Sequence, residues 1–365
     1  MKFSITKETI LDGLQQVQSV ISTRTTLPIL QNVLIEARQG ALVLSTTDLD
    51  VGISASIDAE VEEHGATTLP ARRFFSICRE LPASDASIEV DSRNVATLRS
   101  GNALFKILGL AREEFPPMAP LEKARTLKLP QQLLKDMLRR TSYAISHDET
   151  RYVLNGILMS FKERKLTMVA TDGRRLALAD TEVELAPSQE ADIILPTKAV
   201  NELQRLLKDE GEATLNMTDS RCSFDLGRAR LMSKLTEGNY PNYRQVIPAE
   251  TKERVSLERE TFLTTIRRVA LLTSEKSSSV KLAFSKDTAT LSANSPDVGE
   301  ARESIAVKYR GKDFAAAFNP EYLMDPLRNL ADDEVHFDFV DDTSPGVIRV
   351  SSSSFLYVIM PMRMA

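Results

Sequence analysis

Apolar residues recur along this chain in two rhythms that take turns. In residues 7–22 they fall at Ile10, Leu11, Leu14, Val17 and Ile21, the spacing of a helix that buries one face. Residues 130–146 and 258–274 repeat the pattern, and their closing serines follow Ser22 and then each other by 124 and 128 positions. Alternation comes next in each case, in PILQNVLIEARQGALVLSTTD, YVLNGILMSFKERKLTMVATD and SVKLAFSKDTATLSANSPD, which predicts strand pairs. A second helix is expected at LPARRFFSICREL, LPTKAVNELQRLL and FNPEYLMDPLRNL, each with a proline near its start. Further alternating segments lead to Phe115-Pro116, Tyr240-Pro241 and Met360-Pro361, which close the three stretches.

The same landmarks in one order, three times over, predict an α+β protein of three repeated helix-sheet domains, residues 1–122, 128–247 and 254–365. Polar stretches near 120–128 and 247–256 have the composition of linkers. Each helix must bury one stripe against a sheet, which leaves its opposite face free.

Charge sharpens this picture. The 365 residues include 46 Lys and Arg against 51 Asp and Glu, a net charge of −5 that excludes a simple basic nucleic-acid binder. The six helical windows nevertheless hold fifteen Lys and Arg against nine Asp and Glu, so they carry +6 and the remainder −11. An acidic protein whose cations gather on helices suits a polyanion held on one side only. A domain of about 122 residues is roughly 35 Å across, and six such spheres in a ring leave room for a duplex about 20 Å wide. Three domains per chain then require two chains.

Composition, 42% hydrophobic and 27% charged, is that of a soluble globular protein. Cys78 and Cys222 lie 144 positions apart without metal-ligand spacing, which signals neither disulfide nor zinc and fits a reducing cytoplasm. The start of the chain lacks the apolar core of a signal peptide, and no stretch of about 18 apolar residues suggests a membrane span. With three histidines and no phosphate-loop, dinucleotide or hydrolase motif, neither an enzyme nor a cofactor or metal site is expected. The pairs Asp332-Asp333 and Asp341-Asp342 read as solvated turns rather than Mg²⁺ ligands.

Seven segments give the whole chain a resemblance to the bacterial β sliding clamp family, the processivity subunit of DNA polymerase III. They are the opening MKFSI, RTTLPILQNVLIE (24–36), LPARRFF (69–75), RYVLNG (151–156), VATDGRRLA (169–177), YPNYRQVIP (240–248) and VIMPMR (358–363). The resemblance implies a homodimer joined head to tail into a ring, helices inside and sheets outside, around double-stranded DNA without sequence preference. It implies DNA contacts at Arg24, Arg72, Arg73, Tyr152, Lys198 and Arg205. A cleft for clamp-binding peptides of the polymerase alpha subunit, the clamp loader, other polymerases and repair proteins is implied between the second and third domains. Its residues would be Leu154, Thr171, Gly173, Arg174, Arg175, Leu176, Pro241, Val246, Asn319, Tyr322, Val358, Met360, Pro361, Met362 and Arg363. There the segment Met360 to Ala365 would carry the floor, and Arg175 and Arg363 would orient polar or acidic groups of the peptide at the rim. The subunit joint is implied at Phe105, Leu271, Leu272, Glu300 and Glu303.

The chain departs from the family at Val153, Thr197 and Asp148, where a second aromatic, a basic residue and an amide are anticipated, and Pro326 interrupts the last helix pattern. These changes bear on individual DNA contacts, not on the ring. The alternative left open is a protein-binding scaffold that does not encircle DNA.

Overall fold

The computed structural model describes residues 1–21, 25–82, 85–118, 120–274, 278–352 and 354–362. Among them, six α-helices stand where the apolar rhythm put them: α1 (Lys7–Val17), α2 (Ala71–Arg79), α3 (Gln131–Thr141), α4 (Thr197–Leu206), α5 (Arg259–Ala270) and α6 (Pro320–Asn329). The helices α1 and α3 end sooner than the rhythm does, because each tightens into a 3-10 turn, Gln18–Val20 and Ser142–Ala144, that still buries Val20 and Ala144. Side chains start three helices: Thr6 accepts the Thr9 amide, Glu258 those of Glu260 and Thr261, and Asn319 those of Glu321 and Tyr322. Pro326 lies inside α6, which continues to Asn329, and it lacks the amide that would bond to the Tyr322 carbonyl four residues back. The Tyr357 hydroxyl donates to that carbonyl at 2.7 Å, so the missing bond is replaced from a neighbouring strand.

One strand precedes the first helix of each repeat and was not anticipated: Lys2–Thr6, Arg125–Pro130 and Glu253–Glu258. Its signal is only two apolar residues long, Phe3 and Ile5, Leu127 and Leu129, or Val255 and Leu257, all buried.

The described chain forms two compact units, residues 1–135 with 198–235, and residues 136–197 with 236–365. The first contains an antiparallel eight-stranded sheet in the order Arg125–Pro130, Glu212–Met217, Arg221–Asp225, Ala229–Lys234, Val51–Asp58, Ala41–Thr47, Asn32–Arg38 and Gly65–Pro70. Strands of the first and middle repeats thus share one sheet, with a seam that pairs Ala229 with Ala55 and Ser233 with Val51. A five-stranded sheet in the order Glu60–Glu63, Lys2–Thr6, Asp85–Val90, Val95–Ser100 and Ala103–Leu108 completes this unit. Its last strand leaves Leu104 and Leu108 53% and 75% exposed.

The second unit has an eight-stranded sheet of the same build, Ala191–Pro196, Gly156–Lys162, Lys165–Thr171, Arg175–Glu182, Phe355–Ile359, Gly346–Arg349, Glu334–Phe339 and Glu253–Glu258. Its seam pairs Arg175 with Ile359 and Ala179 with Phe355. Four further strands follow the order Gly299–Ala306, Thr288–Ser295, Val280–Ser285 and Phe314–Phe318. The helices α1 and α5 pack on sheet strands and leave their polar residues outward. On α1, a Cβ at Gly13 would come within 2.9 Å of the Leu44 and Ile57 side chains, so glycine lets the helix lie this close to the sheet.

Candidate functional site

The anticipated DNA contacts fall into two groups by what their side chains already hold. Arg72 and Arg73 are exposed on the first turn of α2, while Phe74 and Cys78 fix that helix in the core. Arg24 lies outside the described residues. Lys198 and Arg205 are two turns apart on α4, hence on one face. Lys198 donates to the Val20 carbonyl at 3.2 Å and pairs with Asp48. Burial pushes the Asp48 carboxyl up, but the Lys198 ammonium and the amides of Val51 and Asp50 together hold it below its ordinary value. Arg205 donates to the carbonyls of Gln15 at 3.3 Å and Gln16 at 2.6 Å, to the Ser19 hydroxyl at 2.8 Å and to Glu202 at 2.8 Å. Those carbonyls end α1, so this guanidinium caps a helix and fastens α4 to it.

Tyr152 is exposed in the 3-10 turn Glu149–Leu154. The three departures each have local work. Val153 packs on an apolar patch that includes Leu158 and Val169. Asp148 accepts the Thr150 amide at 3.0 Å and pairs with Arg151 at 3.6 Å. The Thr197 hydroxyl donates to the Asn155 carbonyl at 2.8 Å.

The anticipated cleft residues that are described all belong to the second unit. Thr171, Gly173, Arg174 and Arg175 make the tip of a hairpin, where Asp172 Oδ1 accepts the amides of Arg174 at 2.9 Å and Arg175 at 3.0 Å. The Thr171 hydroxyl donates to the Arg175 carbonyl at 2.6 Å and accepts the Gly173 amide at 3.1 Å, with Gly173 at φ +85°. Across the seam Leu176 meets Val358, and both are buried in a patch with Leu158, Val169 and Leu356 that Tyr240, Tyr243 and Ile247 partly cover. Leu154 is buried, whereas Pro241, Val246, Met360 and Met362 are exposed and Pro361 is half-buried. The amides of Met360 and Met362 donate to the carbonyls of Arg174 at 3.0 Å and Ala317 at 2.7 Å. Met360 and Met362 therefore border the patch, whose buried base includes Leu176 and Val358, and residues 363–365 of the expected floor lie outside the described residues. Asn319 spends its side chain on the cap of α6, one turn from Tyr322.

Arg175 differs from the rim residue expected. Its side chain is only 9% exposed, with Nε donating to Asp172 at 3.1 Å and a second nitrogen bound to Asp325. A third nitrogen donates to the Tyr143 carbonyl at 2.6 Å, and the guanidinium lies 4.3 Å from the Tyr322 ring centroid. Burial works against its charge, yet the Tyr357 oxygen and the Asp325 and Asp172 carboxylates outweigh burial and raise its pKa above the ordinary value. This cation is turned inward, where it ties the hairpin to α6 and to the turn after α3. Arg363 lies outside the described residues.

Of the anticipated joint residues, Phe105 is half-buried on the edge strand Ala103–Leu108, Leu271 is exposed and Leu272 half-buried just after α5. Glu300 and Glu303 are on the edge strand Gly299–Ala306, where Glu300 is exposed and Glu303 pairs with Arg268 of its own chain. Among the described residues, no group of three or more His, Cys, Asp or Glu is placed to hold a metal, and no helix is long and apolar enough to cross a membrane.

Sequence reasoning missed Asp48, Tyr143, Asp325 and Tyr357 as partners of site residues. Thr47-Asp48 and Thr171-Asp172 close the strand-pair segments of the first two repeats, but spacing does not encode which cation each carboxylate meets. Leu104 and Leu108 were also missed, because they share the exposed phase of ALFKIL with the charged Lys106, and alternation alone does not single them out.

Comparison with known proteins places these features in a family. Models of the N-terminal, central and C-terminal domains of the DNA polymerase III beta subunit match residues 1–119, 128–242 and 244–363. The beta sliding clamp of Chlamydia muridarum is 38% identical over 364 residues, covering 100% of this chain and 99% of that one. That of Proteus mirabilis is 35% identical over 370 residues, with full coverage of both. Among solved structures, the Bartonella birtlesii sliding clamp bound to griselimycin shares 34% identity and a TM-score of 0.95, with 100% of both chains covered. The Bacillus subtilis sliding clamp gives 29% identity and a TM-score of 0.95, again over 100% of both. This chain, with its three repeated helix-sheet domains, belongs to the DNA polymerase III beta subunit family, the beta sliding clamps.

Proposed function

We propose that two copies of this sliding clamp close head to tail into a ring around double-stranded DNA and tether the replicative polymerase there. The observation that carries this reading is an incomplete repetition of strand pairing. Val51–Asp58, Arg175–Glu182 and Gly299–Ala306 occupy equivalent places in the three repeats, as do Ala103–Leu108, Ala229–Lys234 and Phe355–Ile359. The seams pair Val51–Asp58 with Ala229–Lys234 and Arg175–Glu182 with Phe355–Ile359. Among the described residues, that leaves Gly299–Ala306 and Ala103–Leu108 without the neighbours their counterparts have, and a second copy would supply both at once.

The register carries over as well. Ala55 meets Ala229 and Ala179 meets Phe355, so Glu303 should meet Ala103 of the other copy. Phe105 then lies opposite Ala301 on the helix side, within reach of Leu271 and Leu272, and Lys106 lies opposite Glu300. This is a matched arrangement of apolar and oppositely charged pairs.

In this reading the domains 1–122, 128–247 and 254–365 each contribute helix faces to the lumen. There Arg24, Arg72, Arg73, Tyr152 and Lys198 meet phosphates without reading bases, while Arg205 adds its charge from the helix end it caps. The apolar floor of Leu176 and Val358 with its exposed Met and Val border receives the linear peptides of the polymerase alpha subunit, the clamp loader, other polymerases and repair proteins. Flexible methionines suit a site that several partners share. The clamp works in the cytoplasm without a catalytic site of its own. Retention on closed circular DNA and release on linearising it tests enclosure; a scaffold that does not encircle DNA would show no such difference.

A further inference from the structure

Two hairpins, one in each compact unit, are built by the same hydrogen bonds. The hydroxyls of Thr47 and Thr171 donate to the carbonyls of Val51 at 3.0 Å and Arg175 at 2.6 Å. Asp48 Oδ1 accepts the amides of Asp50 at 3.0 Å and Val51 at 2.7 Å, as Asp172 Oδ1 accepts those of Arg174 and Arg175. What differs is the cation on the second carboxylate oxygen. Asp172 Oδ2 takes Nε of the buried Arg175, a residue of its own hairpin, at 3.1 Å. Asp48 Oδ2 takes Nζ of Lys198, which comes from the first turn of α4.

These two pairs differ in freedom. Arg175 is locked by three partners, whereas Lys198 has a side chain 42% exposed beside an Asp48 side chain 16% exposed. An ammonium on a four-carbon stem can turn from one oxyanion to another without moving the backbone. Arg205 on the same face has no such latitude, because its guanidinium is held by two main-chain carbonyls, Ser19 and Glu202.

We propose that Asp48 competes with DNA phosphate for Lys198, standing in for the phosphate when DNA is absent and weakening this contact when DNA is present. The inference rests on the DNA-enclosing reading above and deepens it. A carboxylate and a phosphodiester oxygen are both charged acceptors of the same donor. DNA therefore gains only the difference between two similar bonds at Lys198, which keeps the contact easy to exchange as the clamp slides.

Asp48→Asn separates the two roles of this side chain. The amide oxygen still accepts the Asp50 and Val51 amides, while its NH₂ group faces Lys198 and cannot hold an ammonium. Binding of a fluorescent linear duplex of mixed sequence to the dimer, at one fixed ionic strength of about 50 mM, is the measurement. Asp48→Asn is expected to tighten binding roughly two- to fivefold. In a Lys198→Gln background the same change is expected to do nothing. An equal gain in both backgrounds would mean that Asp48 acts only through its general field, and no gain in either would mean that it does not compete; each overturns the proposal. Asp48→Ser, which keeps a turn-capping oxygen, repeats the test should the asparagine variant melt early. Arg72→Glu with Arg73→Glu, measured alongside, tests the underlying reading: unchanged binding there rejects DNA contact itself, while weakened binding with a silent Asp48→Asn rejects only the competition.

Discussion

At Tyr357 a single hydroxyl repairs a helix that a proline would otherwise leave short of a bond. Tyr357→Phe strands the Tyr322 carbonyl, and the expected loss is about 1 to 3 kcal/mol, read as a lower urea midpoint at unchanged slope. In a Pro326→Ala background the residue 326 amide can reach that carbonyl, so most of the loss should disappear. The cysteines offer a second check at this scale, since burial pushes the thiols of Cys78 and Cys222 up to about 12. A thiol reagent at pH 8 should leave the native protein unlabelled and react only as urea unfolds it. The Ser344 and Thr343 side chains, with their amides, pull the Asp341 carboxyl down from 3.8 to about 2. The order this group lends to its loop is therefore complete above pH 3.8 and lost as pH falls through about 2, which amide exchange at Thr343 and Ser344 would follow. Individual partners were the least legible feature of the sequence. Arg175 meets Asp325 150 positions away, and no local pattern carries that information.

Secondary elements were far more legible, because a helix that buries one stripe must repeat its apolar residues every three or four positions. All six helices followed that rule, with errors at the ends of α1, α3 and α5, which stop before the serines that close the apolar pattern. Short strands such as Lys2–Thr6 escaped because two buried residues make no period. The sharing of sheets between repeats was also hidden, since strand order is set by long-range pairing. That sharing informs the test of the cleft. Phe355–Ile359 is an inner strand of its sheet, so removing residues 360–365 costs only the Met360 and Met362 bonds among those described and should leave a folded protein. A polymerase-derived peptide should bind the truncated form at least about tenfold more weakly, a change of roughly 1.4 kcal/mol in a calorimetric titration. Unchanged affinity would remove the terminal methionines from the site.

For the whole molecule, the number of repeats and the size of one domain already pointed to paired chains, whereas the joint came from resemblance and its strand register is the one proposed by analogy with the two seams. Leu272→Ala should weaken the dimer by about 2 to 3 kcal/mol if a second copy covers the side chain, shifting sedimentation equilibrium toward monomer at nanomolar concentration. Replacing Arg72 and Arg73 by Glu should leave the dimer intact and lower DNA binding, with a shallower dependence on salt. Because Val51–Asp58 and Ala229–Lys234 pair across a seam, trypsin cutting after the exposed Lys123 would sever the backbone without freeing either piece. The nicked protein should migrate as one species on a native gel and fall into two fragments only in denaturant, its peptide linker dispensable once the sheet has formed.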